Sequence, residues 1–362
     1  MNHLGRIRAL RGQMREQGVD AVLVTHLPDV RYLCGFTGSN AALAVAAKRA
    51  AMFTDGRYTA QAKEETQGAR VVIAKKSALR EACAWLEASG VATAHFDPEH
   101  TTFASLEVMR GALGKGKRRG FFQPLKKPVG SALRMVKDAD ELLLMEKAAL
   151  LGCNLFTVLL PHIQAGVAES EIAADLEFFA RSLGAEGMSF ETIVASGKRS
   201  ALPHGRATTA KVPRRGFVTL DFGVILNGYC SDMTRTVHMG KPGREEQFAY
   251  DAVLEAQMAG VAAVRPGATC GEVDEAARSV LRKAGLAKYF THSTGHGVGI
   301  EIHESPRVAA GQEQVLAPGM VITIEPGIYI EGKFGIRIED MVAVTKSGGK
   351  ILTPAPKAMI QL

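Results

Sequence analysis

The dipeptide Asn227-Gly228 constrains this chain more tightly than any other pair of neighbours. Asn-Gly favours positive φ at both central positions of a two-residue turn, so it joins antiparallel strands into a hairpin. The surrounding stretch, LDFGVILNGYCSDMTRT from Leu220, reads as those two strands. With a two-residue turn, Leu226 faces Tyr229 and Gly223 faces Asp232. Asp221 lies two residues from Gly223 on the same strand, so both side chains leave one face. Asp221 and Asp232 then become diagonal neighbours. Two carboxylates aimed at one point repel each other unless a cation lies between them. From this stretch alone, a solvated hairpin with two surface acids competes evenly with a shared ion site.

Later segments add the donors such a site needs. His296 lies in HSTGHGVGIEIHE, Glu325 in VITIEPGIY and Glu339 in GIRIEDM. His204 lies in SGKRSALPHG, and His303 follows His296 by seven residues. Each acid sits at the polar phase of an apolar alternation, which predicts partly buried carboxylates that need partners. Hard divalent ions favour oxygen donors, while imidazole suits manganese, cobalt or zinc. Four carboxylates, Asp221, Asp232, Glu325 and Glu339, carry four negative charges, which two divalent ions would balance. Gly295, Gly297 and Gly299 let backbone approach closely around His296.

The chain has 362 residues, more than one core usually holds, so two domains are expected. The predicted domains are an N-terminal one over 1–125 and a catalytic one over 138–362, joined by a Pro- and Lys-rich linker over 126–137. The first part alternates helices and strands, from an amphipathic helix at Leu4, Ile7, Leu10 and Met14 to a helix over 103–113. Asp138 with Glu141 predicts a capping box opening a long helix that Pro161 closes. Helices over 170–182, 245–264 and 272–284 follow, with strand-rich sequence between and after them. The fold class is α/β (α+β).

The formal net charge of +7 comes from Lys and Arg spread along the chain, which excludes a clustered nucleic-acid footprint. Gly111 to Lys117 superficially fits a phosphate loop. Arg118 stands where magnesium binding needs Ser or Thr, so this stretch is read as a solvated basic loop. The five cysteines are widely spaced with no Cys-x-x-Cys pair, which argues for a reducing compartment. No apolar leader is visible, and Ala148 to Leu160 is read as too short to span a bilayer. Cytoplasmic location without membrane contact is the expectation.

Taken together, the ordered acids and histidines with their flanks resemble the Xaa-Pro aminopeptidase/prolidase branch of the pita-bread metallopeptidases. PDVRYLCGFTGSN from Pro28 and FTDGRYTAQA from Phe53 extend the resemblance into the N-terminal part. The resemblance implies a creatinase-type α/β domain followed by a pita-bread domain of two αβ halves. It implies metal ligation by Asp221, Asp232, His296, Glu325 and Glu339, with Asp232 and Glu339 bridging two divalent ions. Manganese is the first expectation, cobalt or zinc the others. Glu325 would also shuttle a proton, and His204 and His303 would act in catalysis. His292, Tyr329 and Arg337 would line the substrate pocket. The implied substrate is a peptide with proline at the second position, and the implied assembly a homodimer.

The leading expectation is an Xaa-Pro aminopeptidase. An Xaa-Pro dipeptidase would share every ligand but needs a further cation for the dipeptide's free carboxylate. A metal-free pita-bread binding module or creatinase-like hydrolase would lack the ligands that are all present here. A methionine aminopeptidase fits poorly, since that branch lacks the N-terminal domain.

Overall fold

The computed structural model describes residues 1–117 and 120–362. Arg118, on which the phosphate-loop reading turned, lies outside the described residues. The chain forms two compact units, Met1–Arg134 and Met135–Leu362.

The first unit holds helices α1 (His3–Glu16), α2 (Leu27–Cys34), α3 (Thr59–Glu65), α4 (Ala78–Ala88), α5 (Phe103–Gly111) and α6 (Gly130–Arg134). Its strands are β1 (Ala21–Val24), β2 (Ala42–Ala46), β3 (Ala50–Thr54), β4 (Arg70–Ile73), β5 (Ala94–Phe96) and β6 (Phe122–Pro124), in the spatial order β4-β3-β2-β1-β5-β6. β1 to β3 are an antiparallel meander, whereas β5 and β6 run parallel to β1. Their small side chains, Ala42, Ala44, Ala51 and Ala94, pack against Ala82, Cys83 and Leu86 of α4. Leu27–Cys34 is helical, with Pro28 in the first turn, where its missing N–H is no loss, and Gly35 left-handed at the end. Sequence periodicity missed this helix because eight residues make barely two turns. The segment 126–137 contains α6, whose Arg134 is ion-paired with the buried Asp29.

In the second unit, α7 (Ala139–Leu159) opens with the capping box of Asp138 and Glu141 and is followed by α8 (Glu169–Ser182). Next come β7 (Gly187–Met188), β8 (Ile193–Ser196), β9 (Gly216–Phe222), β10 (Val224–Leu226), β11 (Tyr229–Cys230) and β12 (Met233–Met239). Helices α9 (Arg244–Ala263) and α10 (Cys270–Lys283) precede β13 (Gly295–Gly297), β14 (Glu304–Val308), β15 (Val321–Ile324), β16 (Gly327–Ile330), β17 (Phe334–Arg337), β18 (Asp340–Val344) and β19 (Gly349–Ile351). The unit thus repeats a theme of two helices against antiparallel sheet. Leu155, Phe156 and Leu176 of the first helix pair meet Val218, Leu220 and Phe222 of β9. In the second half, Val273 of α10 meets Ile322, Ile324 and Val342.

Helix α7, continued to His162, is long and apolar enough by length and composition to cross a membrane. The reading of 148–160 as too short and broken by Asn154 therefore needs correction: the helix begins at Ala139, and the apolar window is longer than that stretch. Met145, Ala148, Ala149, Leu155, Phe156 and Leu159 are buried inside the unit, whereas Leu143, Leu150 and Val158 on the same helix are exposed.

Candidate metal centre

The hairpin has the expected register. Leu226 pairs with Tyr229, Ile225 with Cys230, and Asp221 with Thr234, so Asp232 lies diagonally across from Asp221. Asn227 and Gly228 take φ of 49° and 72°, as a turn of this length requires. Gly223 is obligatory, because a Cβ there would collide with the carbonyl oxygen of Ser231.

Four further segments bring their side chains to this pair. His296 sits in the centre of β13, Glu325 directly follows β15, Glu339 lies between β17 and β18, and Arg337 ends β17. The imidazole Nε2 of His296 is 3.5 Å from Asp232 Oδ2 and 3.4 Å from Glu325 Oε1. Donor atoms of Asp232, His296 and Glu339 all lie within 4.8 Å of one another. Gly295 lets β13 press against β15, since a Cβ would strike the carbonyl oxygen of Thr323.

Burial and mutual repulsion dominate the electrostatics. Desolvation, then the charges of Glu339, Asp221 and Glu325, push the Asp232 carboxyl well above the usual range. Desolvation, then Glu325 and Asp221, does the same to Glu339. Burial raises Glu325 to about 8 despite the nearby Arg337. Burial also lowers His296 to about 4, so its ring is neutral. Nδ1 lies 3.0 Å from the carbonyl oxygen of Gly297, which assigns the proton to Nδ1 and leaves the Nε2 lone pair facing the acids. A neutral His beside carboxylates at these separations is a donor set suited to a cation.

A divalent cation fits these residues. Among the described residues, Asp221 Oδ1 is buried without a hydrogen-bond partner, as expected of an atom that has another task. The acids also exceed the positive charge that the Arg337 guanidinium supplies.

Sequence reasoning missed the residues that hold these donors. Thr234 donates to Glu339 Oε2 at 2.7 Å and accepts from Arg337 Nε at 3.0 Å. Thr323 accepts from the His296 backbone N–H at 3.0 Å and donates to Glu325 Oε1 at 3.2 Å. Their signal was polarity at fully buried strand positions, which a sequence shows only once burial is known.

Arg337 is fully engaged. Nη2 meets Asp221 Oδ2 at 2.5 Å, while Nη1 meets Tyr329 Oη at 2.6 Å and the Pro203 carbonyl at 3.0 Å. The Tyr329 hydroxyl is in turn 3.0 Å from His292 Nε2. Burial and the Arg337 charge hold His292 near 4. His303 packs edge-on against His296, with ring centroids 4.4 Å apart. His204 is exposed and follows Pro203, whose carbonyl Arg337 anchors, and its charge reaches both His292 and His303. All ten side chains singled out in the sequence therefore gather in one region of the second unit. Arg337 touches a carboxylate there, so its geometry is that of a positioning residue.

A buried set of four acids and one imidazole, on a pita-bread scaffold, defines a metal-dependent hydrolase. Residues 144–346 match Metallopeptidase family M24, and residues 6–136 match the Creatinase/Prolidase N-terminal domain. The chain belongs to metallopeptidase family M24. An Xaa-Pro dipeptidase from Bacillus anthracis of known structure is 39% identical, with a TM-score of 0.96 and full coverage of both chains. An Xaa-Pro dipeptidase from Pyrococcus horikoshii is 35% identical over 350 residues, covering 96% of each chain. The X-Pro aminopeptidase from Thermotoga maritima is 36% identical, with a TM-score of 0.88, covering 97% of this chain and 100% of that one.

Proposed function

We propose that the protein is an Xaa-Pro dipeptidase that uses two divalent ions to release proline from a dipeptide. The observation that carries this is the convergence of the buried Asp221, Asp232 and Glu339 with the half-buried His296 and Glu325. In this reading Asp221, Asp232, His296, Glu325 and Glu339 would together hold the ions. Manganese is the first candidate, with cobalt or zinc as the others.

Divalent ions held by these residues would supply an activated water and polarise the scissile carbonyl. Glu325 is the group to take the proton of that water and deliver it to the departing proline nitrogen. His204 and His303 donate toward the developing oxyanion. His292 and Tyr329 hold one wall of the pocket through their shared hydrogen bond. Arg337 keeps Asp221 in place and, through Thr234, Glu339. A bond before proline offers no N–H to the enzyme, so recognition falls to shape.

The aminopeptidase expectation gives way here to its alternative. A dipeptidase needs a cation for the substrate's own carboxylate, and we assign that part to Arg307. It pairs with His296 across β13 and β14, so both side chains leave one face, and the residue is exposed. The two relatives named Xaa-Pro dipeptidases match nearly the whole chain. A cytoplasmic homodimer is part of this reading; five widely spaced cysteines suit a reducing compartment. The test is hydrolysis of Ala-Pro by metal-depleted protein during stepwise addition of manganese. Activity should be absent at first and return with added metal; full activity without metal would refute the proposal.

A further inference from the structure

Away from that centre, the first unit gathers a second set of donors. His26 and Asp29 follow β1, and His100 follows β5. Their donor atoms all lie within 4.8 Å of one another. The pocket they line also includes Asp97. It opens at the carboxyl ends of adjacent parallel strands. From β1 the chain leaves toward β2, on one side, and from β5 toward β6, on the other. Such a reversal of strand order opens a crevice where α/β sheets bind ligands.

We propose that His26, Asp29 and His100 form a binding site for a zinc-class transition ion. The chemistry is of the right kind: two imidazoles and a carboxylate leave a fourth position open on a tetrahedral ion. His26 Nδ1 and Asp29 Oδ2 are 3.2 Å apart. Two ligands of one zinc ion, each roughly 2.0–2.1 Å from it, are separated by about that much. Asp29 is 2% exposed, and its other oxygen, Oδ1, meets Arg134 Nε at 3.1 Å. An outer partner of this sort fixes a ligating carboxylate in one orientation. The rings of His26 and His100 stack with centroids 3.6 Å apart and planes 23° apart. Two rings on one tetrahedral ion sit roughly 5 Å apart, so His100 swings off the stack to bind. It is exposed and has room to do so. The donor set differs from the carboxylate-rich one in the second unit, and imidazole favours zinc, nickel or copper over manganese.

The test is zinc content after dialysis of the full-length, metal-depleted chain against Zn²⁺, followed by elemental analysis. Wild-type protein should hold one zinc per chain more than the His100→Ala variant. In an Asp232→Asn background, which weakens the other centre, the same difference of one should persist, and zinc should raise the melting temperature further when His100 is present than when it is not. Equal zinc content in wild type and His100→Ala, in both backgrounds, would overturn the proposal. The His26→Gln variant supplies an independent check and should lose the same ion. Failure of the dipeptidase reading would leave this count unchanged.

Discussion

Arg337 and Asp221 form a buried ion pair inside the carboxylate cluster, with Nη2 2.5 Å from Oδ2. The pair, together with the protons that burial keeps on Asp232, Glu325 and Glu339, offsets the repulsion among four acids in one pocket. Removing one partner of such a pair costs about 3–5 kcal/mol, because the remaining charge is stranded. An Arg337→Met variant should lose roughly that much stability in urea when metal-free. Added manganese should recover part of the loss. An unchanged denaturation midpoint would show that the guanidinium is not the cluster's counter-charge.

Protonation of the metal-free cluster sets a pH dependence of definite sign. Glu325 is raised to about 8, so the folded chain keeps a proton that the unfolded chain has lost. Stability from that proton is fully present below the unfolded pKa and fades as pH rises through 8. His292 and His296, lowered to about 4, act in the opposite direction, but only between about 4 and 6.5. From pH 6.5 to 8 these histidines no longer oppose the carboxyl effect, and the raised Asp232 and Glu339 act with Glu325. Chelator-treated protein should lose at least about 2 kcal/mol across that window. Metal-loaded protein should not, since binding displaces the proton.

Asp232→Asn should reduce turnover by at least about 10³-fold and lower manganese content, because the amide cannot neutralise charge between ions. Elemental analysis beside a kinetic assay checks this. Wild-type metal content with lost turnover would assign Asp232 a role other than ligand.

Thr323→Val removes a hydroxyl that steadies both the His296 backbone and Glu325, while nearly preserving shape. Loss of an outer-shell partner typically costs 10–100-fold in metal affinity or activity. Metal titration should show a weakening of about that size, with little change in secondary structure by circular dichroism.

How much of this was legible beforehand follows the physics of each signal. The hairpin was readable because Asn227-Gly228 specifies turn and register locally, and register places Asp221 beside Asp232. The gathering of His296, Glu325 and Glu339 was readable only through the order and flanks of their segments. Nothing local in VITIE says where its strand docks. Thr234, Thr323 and Arg307 were invisible for a related reason. Their importance comes from cross-strand neighbours, and pairings such as His296 with Arg307 are a property of the sheet. Helix α2 was missed for being short, and α7 was undercounted because only its stretch over 148–160 was considered.

The most direct measurement is kcat/KM for Ala-Pro against Ala-Pro-Ala with manganese-loaded protein, in wild type and in Arg307→Ala. A charge-assisted hydrogen bond to the free carboxylate is worth about 1.5–3 kcal/mol, or roughly 10- to 150-fold. The dipeptide should therefore be preferred by about that factor, and Arg307→Ala should erase the preference mainly through KM for Ala-Pro. Faster cleavage of Ala-Pro-Ala by the wild-type protein would contradict the account and restore the aminopeptidase reading.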